Sequence, residues 1–321
     1  MAKLTMVQAL NQAMDQVLAK DKRALILGED VGVDGGVFRV TDGLIKKYPN
    51  QVFDTPLSES AIVGASIGLA INGLKPIAEI QFMGFYLPAF NQIVAHLARY
   101  RNRTRGTVNL PVVIRIPCHG GIRALEHHSE ATEALLAQIP GLTVVMPSTP
   151  YDAKGLLIAS VNHGDPVMFL EPIKVYRSIK EEVPEEMYEV PIGKANIIQE
   201  GTDMTVITWG SYIKDVMEAV KDAPYSIELI DLRTISPLDN ETILASAQKT
   251  GRVLIIQEAP KTCSISSELS SRIHEKCYLS LKAPVKRLTG YDITMPLPAG
   301  EELYLVNKPR IHRAMKELME F

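Results

Sequence analysis

Ala24-Leu-Ile-Leu-Gly-Glu-Asp30 is four apolar residues closed by a glycine and two acids. A run so short and without alternation is how a strand buried on both faces reads. The residues before it have a different period. Thr5 and Gln8 have the spacing of a capping box, and Val7, Leu10, Met14, Val17 and Leu18 return at helical intervals, which predicts a helix to about Ala19. Downstream, apolar runs at 76–80, 112–116, 142–146 and 167–170 take turns with helical stretches near 61–71, 88–105, 130–138 and 150–162. Such alternation requires crossover connections, so the fold class is α/β with a parallel sheet covered by helices.

The pattern lapses in Ser178-Ile-Lys-Glu-Glu-Val-Pro-Glu-Glu-Met-Tyr-Glu-Val-Pro191, where charges and prolines crowd together. Residues 178–195 are read as a linker between a domain at 1–177 and a second at 196–321. In the second, runs at 204–208, 227–230, 252–256 and 285–288 alternate with helical stretches near 213–221, 240–249, 264–275 and 310–319. A length of 321 residues agrees with two domains. With 34 basic against 37 acidic side chains and no Lys/Arg block, nothing tracks a phosphate backbone, which argues against nucleic acid as a partner. Cys118, Cys263 and Cys277 are scattered, which suits a reducing compartment and argues against zinc. No membrane-length apolar run and no signal-like start is present, so a cytoplasmic protein without a membrane partner is expected.

Common fingerprints are missing: GxGxxG, the Walker loop, GxSxG and HExxH do not occur. Three segments interrupt the apolar alternation with polar groups. In the first, Asp54-Thr-Pro-Leu-Ser-Glu-Ser60 feeds a small-residue helix. There Ser58 or Glu59 either caps the helix, or Glu59 faces a ligand while Gly64 and Gly68 admit another backbone. The second, Gln81-Phe-Met-Gly-Phe-Tyr86, follows a strand's carboxyl end and is either core packing or a ligand wall. The third, His119-Gly-Gly-Ile-Arg-Ala-Leu-Glu-His-His-Ser-Glu130, is a loop dense in ionisable groups, more often functional than structural. Cys118 beside this loop is either a buried thiol or a nucleophile served by His127 or His128.

Together with Leu27-Gly-Glu-Asp-Val31, Gly36-Val-Phe-Arg39, Phe53-Asp-Thr-Pro-Leu-Ser-Glu59, Ala78-Glu-Ile-Gln-Phe82, Pro147-Ser-Thr-Pro-Tyr-Asp-Ala-Lys-Gly155, Ile230-Asp-Leu-Arg-Thr234 and Glu258-Ala-Pro260, these segments carry a family resemblance along essentially the whole chain. The sequence resembles the beta subunit of the thiamin diphosphate-dependent 2-oxo acid dehydrogenase decarboxylase component, the pyruvate and branched-chain family. That family's architecture is an amino-terminal pyrimidine-binding α/β domain followed by a transketolase carboxy-terminal-like α/β domain. The resemblance also accounts for the missing Gly-Asp-Gly…Asn signature that holds magnesium and diphosphate, because in two-chain members the alpha subunit carries it.

The resemblance implies an α2β2 heterotetramer that decarboxylates a 2-oxo acid and passes the acyl group to a lipoyl domain. The acyltransferase core would dock through its subunit-binding domain. Glu59 matches the glutamate that hydrogen-bonds the cofactor's pyrimidine nitrogen and promotes its imino tautomer. Leu57 and Phe85 match positions flanking the ring, and His128, preceding Ser129, matches the histidine that transfers protons during acyl transfer. Magnesium would be bound mainly by the alpha subunit. A potassium ion would be held by backbone carbonyls of Val112, Ser160, Val161, His163 and Asp165. Phe38-Arg39 and Ala78-Glu-Ile-Gln-Phe82 lean toward branched-chain substrates over pyruvate. Competing readings are a transketolase or deoxyxylulose-phosphate synthase half, a noncatalytic flavoprotein-type module, and a Cys/His acyl-transfer enzyme.

Overall fold

The computed structural model describes residues 2–321. Its strands are β1 (Ala2–Thr5), β2 (Ala24–Gly28), β3 (Val52–Asp54), β4 (Lys75–Glu79), β5 (Val113–Cys118), β6 (Thr143–Val145) and β7 (Val167–Pro172). Then follow β8 (Lys180–Val183), β9 (Asn196–Gln199), β10 (Met204–Thr208), β11 (Ile227–Asp231), β12 (Thr234–Ser236), β13 (Val253–Ile256) and β14 (Lys286–Leu288). One seven-stranded sheet has the order β12-β6-β7-β5-β4-β2-β3 and is parallel except for β12. A five-stranded sheet, β14-β13-β10-β11-β9, is parallel except for β9.

The run at 24–27 is buried throughout. Leu25 and Leu27 enter the core on one side of the sheet, Ala24 and Ile26 the core on the other. The helix Met6–Lys20 opens on the Thr5/Gln8 capping box and lays its apolar stripe on the second of these cores. The helix expected near 88–105 is helical to Arg103 but irregular, passing from a 3-10 stretch Met83–Ala89 through a π-helical turn Gln92–Leu97 to a short α-helix Tyr100–Arg103. Pro88, lying inside the first piece, has no N–H to give and so interrupts the ladder.

Residues 178–195 are tied to the first domain. β8 pairs antiparallel with β1, and the Lys154 ammonium donates to the carbonyls of Pro184 (2.6 Å) and Glu186 (2.9 Å) and to Gln12 Oε1 (2.9 Å). The two halves also interlock. β12, contributed by the second half, extends the first sheet, and Met146 and Leu170 share a core with Trp209, Ile230 and Leu232. The Arg233 guanidinium crosses the junction to Asp152 (2.6 and 2.9 Å). Among the described residues no helix is long and apolar enough to cross a membrane.

A charged group sits at the centre of the first sheet. Arg115 on β5 donates twice to Glu171 on β7 (2.7 and 2.8 Å) and once to Glu79 on β4 (2.7 Å), and the Tyr176 hydroxyl donates to Glu171 (2.5 Å). All four are buried. Burial opposes the charge on Arg115, but Glu171 and then Glu79 more than offset it and raise its pKa, while burial pushes Glu79 up. Removing one partner from such a group typically costs about 3–5 kcal/mol.

At the domain junction, burial and the neighbouring Asp152 carboxylate push Asp231 up to about 7. A raised carboxyl pKa means that the folded state keeps a proton the unfolded chain releases, so this group's contribution favours folding below about pH 4 and turns into a penalty as pH rises to about 7. Asp231→Asn should therefore show a shallower fall in melting temperature between about pH 5 and about pH 8 than the wild-type protein. Equal slopes in a thermal-denaturation series would show that Asp231 does not titrate in that window.

Candidate functional site at the carboxyl edge of the first sheet

In open α/β sheets ligands gather at the carboxyl ends of the strands, and the three polar segments converge there. Asp54, ending β3, accepts from the N–H groups of Gly32 (2.6 Å) and Val33 (3.0 Å), tying the loop after β2 to the start of the next segment. Glu59 is the first residue of the helix Glu59–Ile71, where unpaired N–H groups favour a negative charge. Its N-cap, Ser58, makes no side-chain capping bond, so the simple capping reading is not realised. Glu59 is half-buried, and among the described residues its carboxylate has no hydrogen-bond or ion-pair partner. Glu29, at the end of β2, is pushed up by burial and by the fields of Asp30 and Glu59, which brings three carboxyl groups into one neighbourhood. The Ser60 hydroxyl donates to the Pro88 carbonyl (2.6 Å), joining this helix start to the aromatic turn.

That turn forms a wall. His128 lies edge-on against Phe82 (centroids 4.4 Å apart) and Phe85 (5.0 Å), which contact each other at 5.5 Å. His128 Nδ1 is 2.8 Å from the Glu126 carbonyl oxygen. A carbonyl only accepts, so Nδ1 carries the hydrogen and Nε2 is left as the basic nitrogen. His127 has φ +65°, is exposed and faces Glu130 at 3.8 Å. Leu57 is 72% exposed at the rim, in the company of Val33 (84%) and Leu125 (70%). The Gly64 and Gly68 reading is not met within the chain. Nothing lies within 4 Å of a Cβ placed on Gly68, and only the Gln92 side chain approaches Gly64.

A second set of residues holds the 119–130 loop in place; of these only Glu258 lay in a motif the sequence marked, and Glu301 and Ser211 did not. Glu258 Oε1 accepts from Gly120 N (2.5 Å), and Glu301 accepts from Gly121 N (2.7 Å) and Arg123 N (2.8 Å). His119, buried with φ +70°, meets the Ser211 hydroxyl at 3.0 Å and Glu133 at 3.5 Å. Burial opposes its charge, but Glu258 and Glu133 outweigh that and raise its pKa. Cys118 is fully buried, and burial with the nearby Glu133 pushes its thiol well up, the opposite of an activated nucleophile.

Val112, Ser160, Val161, His163 and Asp165 gather at the other edge, where the helix Pro150–Asn162 ends beside the starts of β5 and β7. Helix carboxyl ends leave carbonyls free for a cation. The Val112 carbonyl already accepts from Val167 N (2.9 Å), that of Ser160 from His163 N (3.3 Å), and the Asp165 carboxylate pairs with Arg101. His163 and Asp165 also border an open cavity of about 1030 Å³ rimmed by Arg99, Arg101 and Arg105. That cavity is lined by none of Glu59, Phe82, Phe85 or His128, so these arginines do not form a phosphate pocket beside Glu59.

The fold and site define a pair of transketolase-type domains. Residues 2–178 match the family described as transketolase, pyrimidine binding domain, and residues 193–311 that described as transketolase, C-terminal domain. A solved chain described as a split gene transketolase, inactive beta4 tetramer, has the same fold, with a TM-score of 0.78 over 99% of both chains at 18% identity. The pyruvate dehydrogenase E1 component subunit beta of Acholeplasma laidlawii is 55% identical over 99% of this chain and 98% of its own. Its counterpart in Staphylococcus aureus is 48% identical over the full length of both chains. The chain belongs to the family of E1 component beta subunits of thiamin diphosphate-dependent 2-oxo acid dehydrogenases.

The lean toward branched-chain substrates finds no support, since these relatives are named for pyruvate. The residues that suggested it are engaged structurally. Phe38 packs on Phe82 and Tyr176, the Arg39 side chain bonds the Asp34 carbonyl, and Glu79 holds Arg115.

A Cβ on Gly84 would sit 2.3 Å from the His127 carbonyl oxygen, and backbone cannot yield as a side chain tip can. Gly84→Ala should lift the loop off its wall and speed tryptic cleavage after Arg123 by roughly tenfold, a local-opening effect. Cleavage at the wild-type rate would show that the loop is held without this contact.

Proposed function

We propose that this chain supplies the pyrimidine-side half of the active site of a pyruvate-decarboxylating E1, working in an α2β2 tetramer with an alpha subunit that binds magnesium and diphosphate. The observation that carries the reading is the partnerless, half-buried carboxylate of Glu59 beside the Phe82/Phe85/His128 wall, on an edge whose rim is open and apolar.

The residues present fit an aminopyrimidine. A planar ring suits an apolar slot formed by Leu57 and Phe85, and a carboxyl group with no other partner suits a ring nitrogen. Glu59 would hold a proton at that nitrogen and so favour the imino tautomer, an interaction strengthened as the rim is covered and water leaves. Thiamin diphosphate, when bound, supplies the electron sink that lets a 2-oxo acid lose CO2. In the complete reaction, oxidation to the acyl level is matched by reduction of one lipoyl S–S bond. One sulfur takes the acyl group and the other a proton. His128 Nε2, the basic nitrogen left by the Nδ1–Glu126 bond, takes up a proton from solvent and passes it to that sulfur.

The second domain carries the docking site for the acyltransferase core's subunit-binding domain. Carbonyls of Val112, Ser160, Val161, His163 and Asp165 hold a potassium ion that braces the amino edge, and the domains divide at 178–195. The exposed Ala61 and Ala65 with Gly68 give the helix Glu59–Ile71 a small-residue face suited to close helix packing with a partner chain.

Calorimetric titration of thiamin diphosphate with magnesium should show tight binding only when this chain is mixed with its alpha subunit. Binding to this chain alone would place the diphosphate anchor here and overturn the shared site. In the reconstituted tetramer Glu59→Gln should lower turnover of pyruvate by about 10²-fold or more, the loss typical of a proton-transfer partner. A faster rate on 3-methyl-2-oxobutanoate than on pyruvate would reverse the substrate assignment.

A further inference from the structure

The 119–130 loop is closed at its base by the bond from His119 N to the Glu130 carbonyl (3.0 Å). Its far arm carries His128, which rests on Phe82 and Phe85. Its near arm has His119, Gly121 and Arg123 at φ +70°, +95° and +55°. Left-handed residues set among their neighbours in this way turn several N–H groups into one concavity, an arrangement that binds anions. Here the anion is a side chain from the other domain. Glu301, 2% exposed, spans Gly121 N (2.7 Å) and Arg123 N (2.8 Å) with its two oxygens. There is no slack beneath it, because a Cβ on Gly120 would lie 2.9 Å from Glu301 Oε1. Glu302, next in sequence, is exposed and reaches only the Arg123 side chain.

We propose that Glu301 is a positioning residue for acyl transfer: by clamping the Gly121 and Arg123 amides it sets where the arm bearing His128 lies, so the second domain controls the lipoyl half of the reaction. The inference rests on the proton-transfer role of His128 given above. Charge is needed because two N–H donors converge on one group; a carboxamide offers only one oxygen and turns an N–H toward a donor.

The test uses the reconstituted tetramer and two assays: pyruvate oxidation with ferricyanide, which needs no lipoyl group, and acylation of a free lipoyl domain. Glu301→Gln should slow acylation about tenfold, the effect of losing a charge-assisted hydrogen bond, while ferricyanide turnover falls by less. Glu301→Asp, one methylene short, should fall between, and Glu302→Gln should match the wild type. In Glu301→Gln, hydrogen exchange across 119–130 should rise. His128→Ala should also slow acylation, and the double variant should be no slower than His128→Ala alone, since both changes act on one group. Equal losses in both assays, multiplying losses in the double variant, or unchanged exchange across the loop would overturn the clamp. Wild-type acylation by His128→Ala would overturn the role of His128 itself, and the clamp's purpose with it.

Discussion

The shared charge of Arg115 with Glu79 and Glu171 is the constraint on which the carboxyl edge of the first sheet depends. It joins three adjacent strands near the point where each leaves the sheet: β4 into the aromatic turn, β5 into the histidine loop and β7 toward Tyr176. Apolar contacts alone leave neighbouring strands free to shift by small amounts, whereas a guanidinium fork accepts few geometries. Ion groups of this kind add little net stability over a well-packed apolar core. Their worth here is positional. Phe82 follows Glu79 by three residues and His119 follows Arg115 by four, so an error at the triad would be carried directly into the wall and the loop.

The second domain is more than a neighbour of that edge. β12 completes the first sheet, Arg233 reaches Asp152, and Ser211 meets His119. Glu258 and Glu301 then replace, for the 119–123 backbone, the hydrogen bonds that a regular element would have provided. A loop with several left-handed residues is strained, and strain of this sort persists only where surroundings over-determine it. The carboxylates of the second domain are those surroundings. The histidine loop is thus built by both domains, although its residues come from the first.

What was legible in the sequence follows from the range of the forces involved. The capped helix Met6–Lys20 and the buried run of β2 are decided by residues close in sequence, and both lie where the pattern puts them. β1, β8, β9 and β12 are three or four residues long and exist only through distant partners, so no local period marks them. The helix read across 88–105 has the right apolar spacing and a helical backbone to 103, but its hydrogen-bond pattern shifts from 3-10 to π to α, which periodicity does not reveal. Polar residues interrupting apolar runs flagged Glu59 and the 119–130 loop. The same signal was available for Arg115 within Val113-Ile-Arg-Ile116 and for Glu171 after Leu170, since a charge in a strand buried on both faces must have partners. Glu301 had no such mark, lying after the turn Pro298-Ala-Gly300 beside a second glutamate and some 180 residues from the amides it holds.

The open rim gives the functional reading its physical logic. Val33, Leu57 and Leu125 are more exposed than large apolar side chains usually are when gathered around one edge. Covering such surface gains about 25 cal/mol per Å², and a carboxylate such as Glu59 interacts more strongly once water is removed. Among the described residues these side chains stay exposed. In the function proposed above, a second chain that brings the diphosphate cradle would supply the cover at the same time, so ligand binding and subunit assembly would be one coupled event. Under the proposed function, that coupling would let Glu59 sit half exposed here, since its chemistry would require a dry site only in the assembled enzyme.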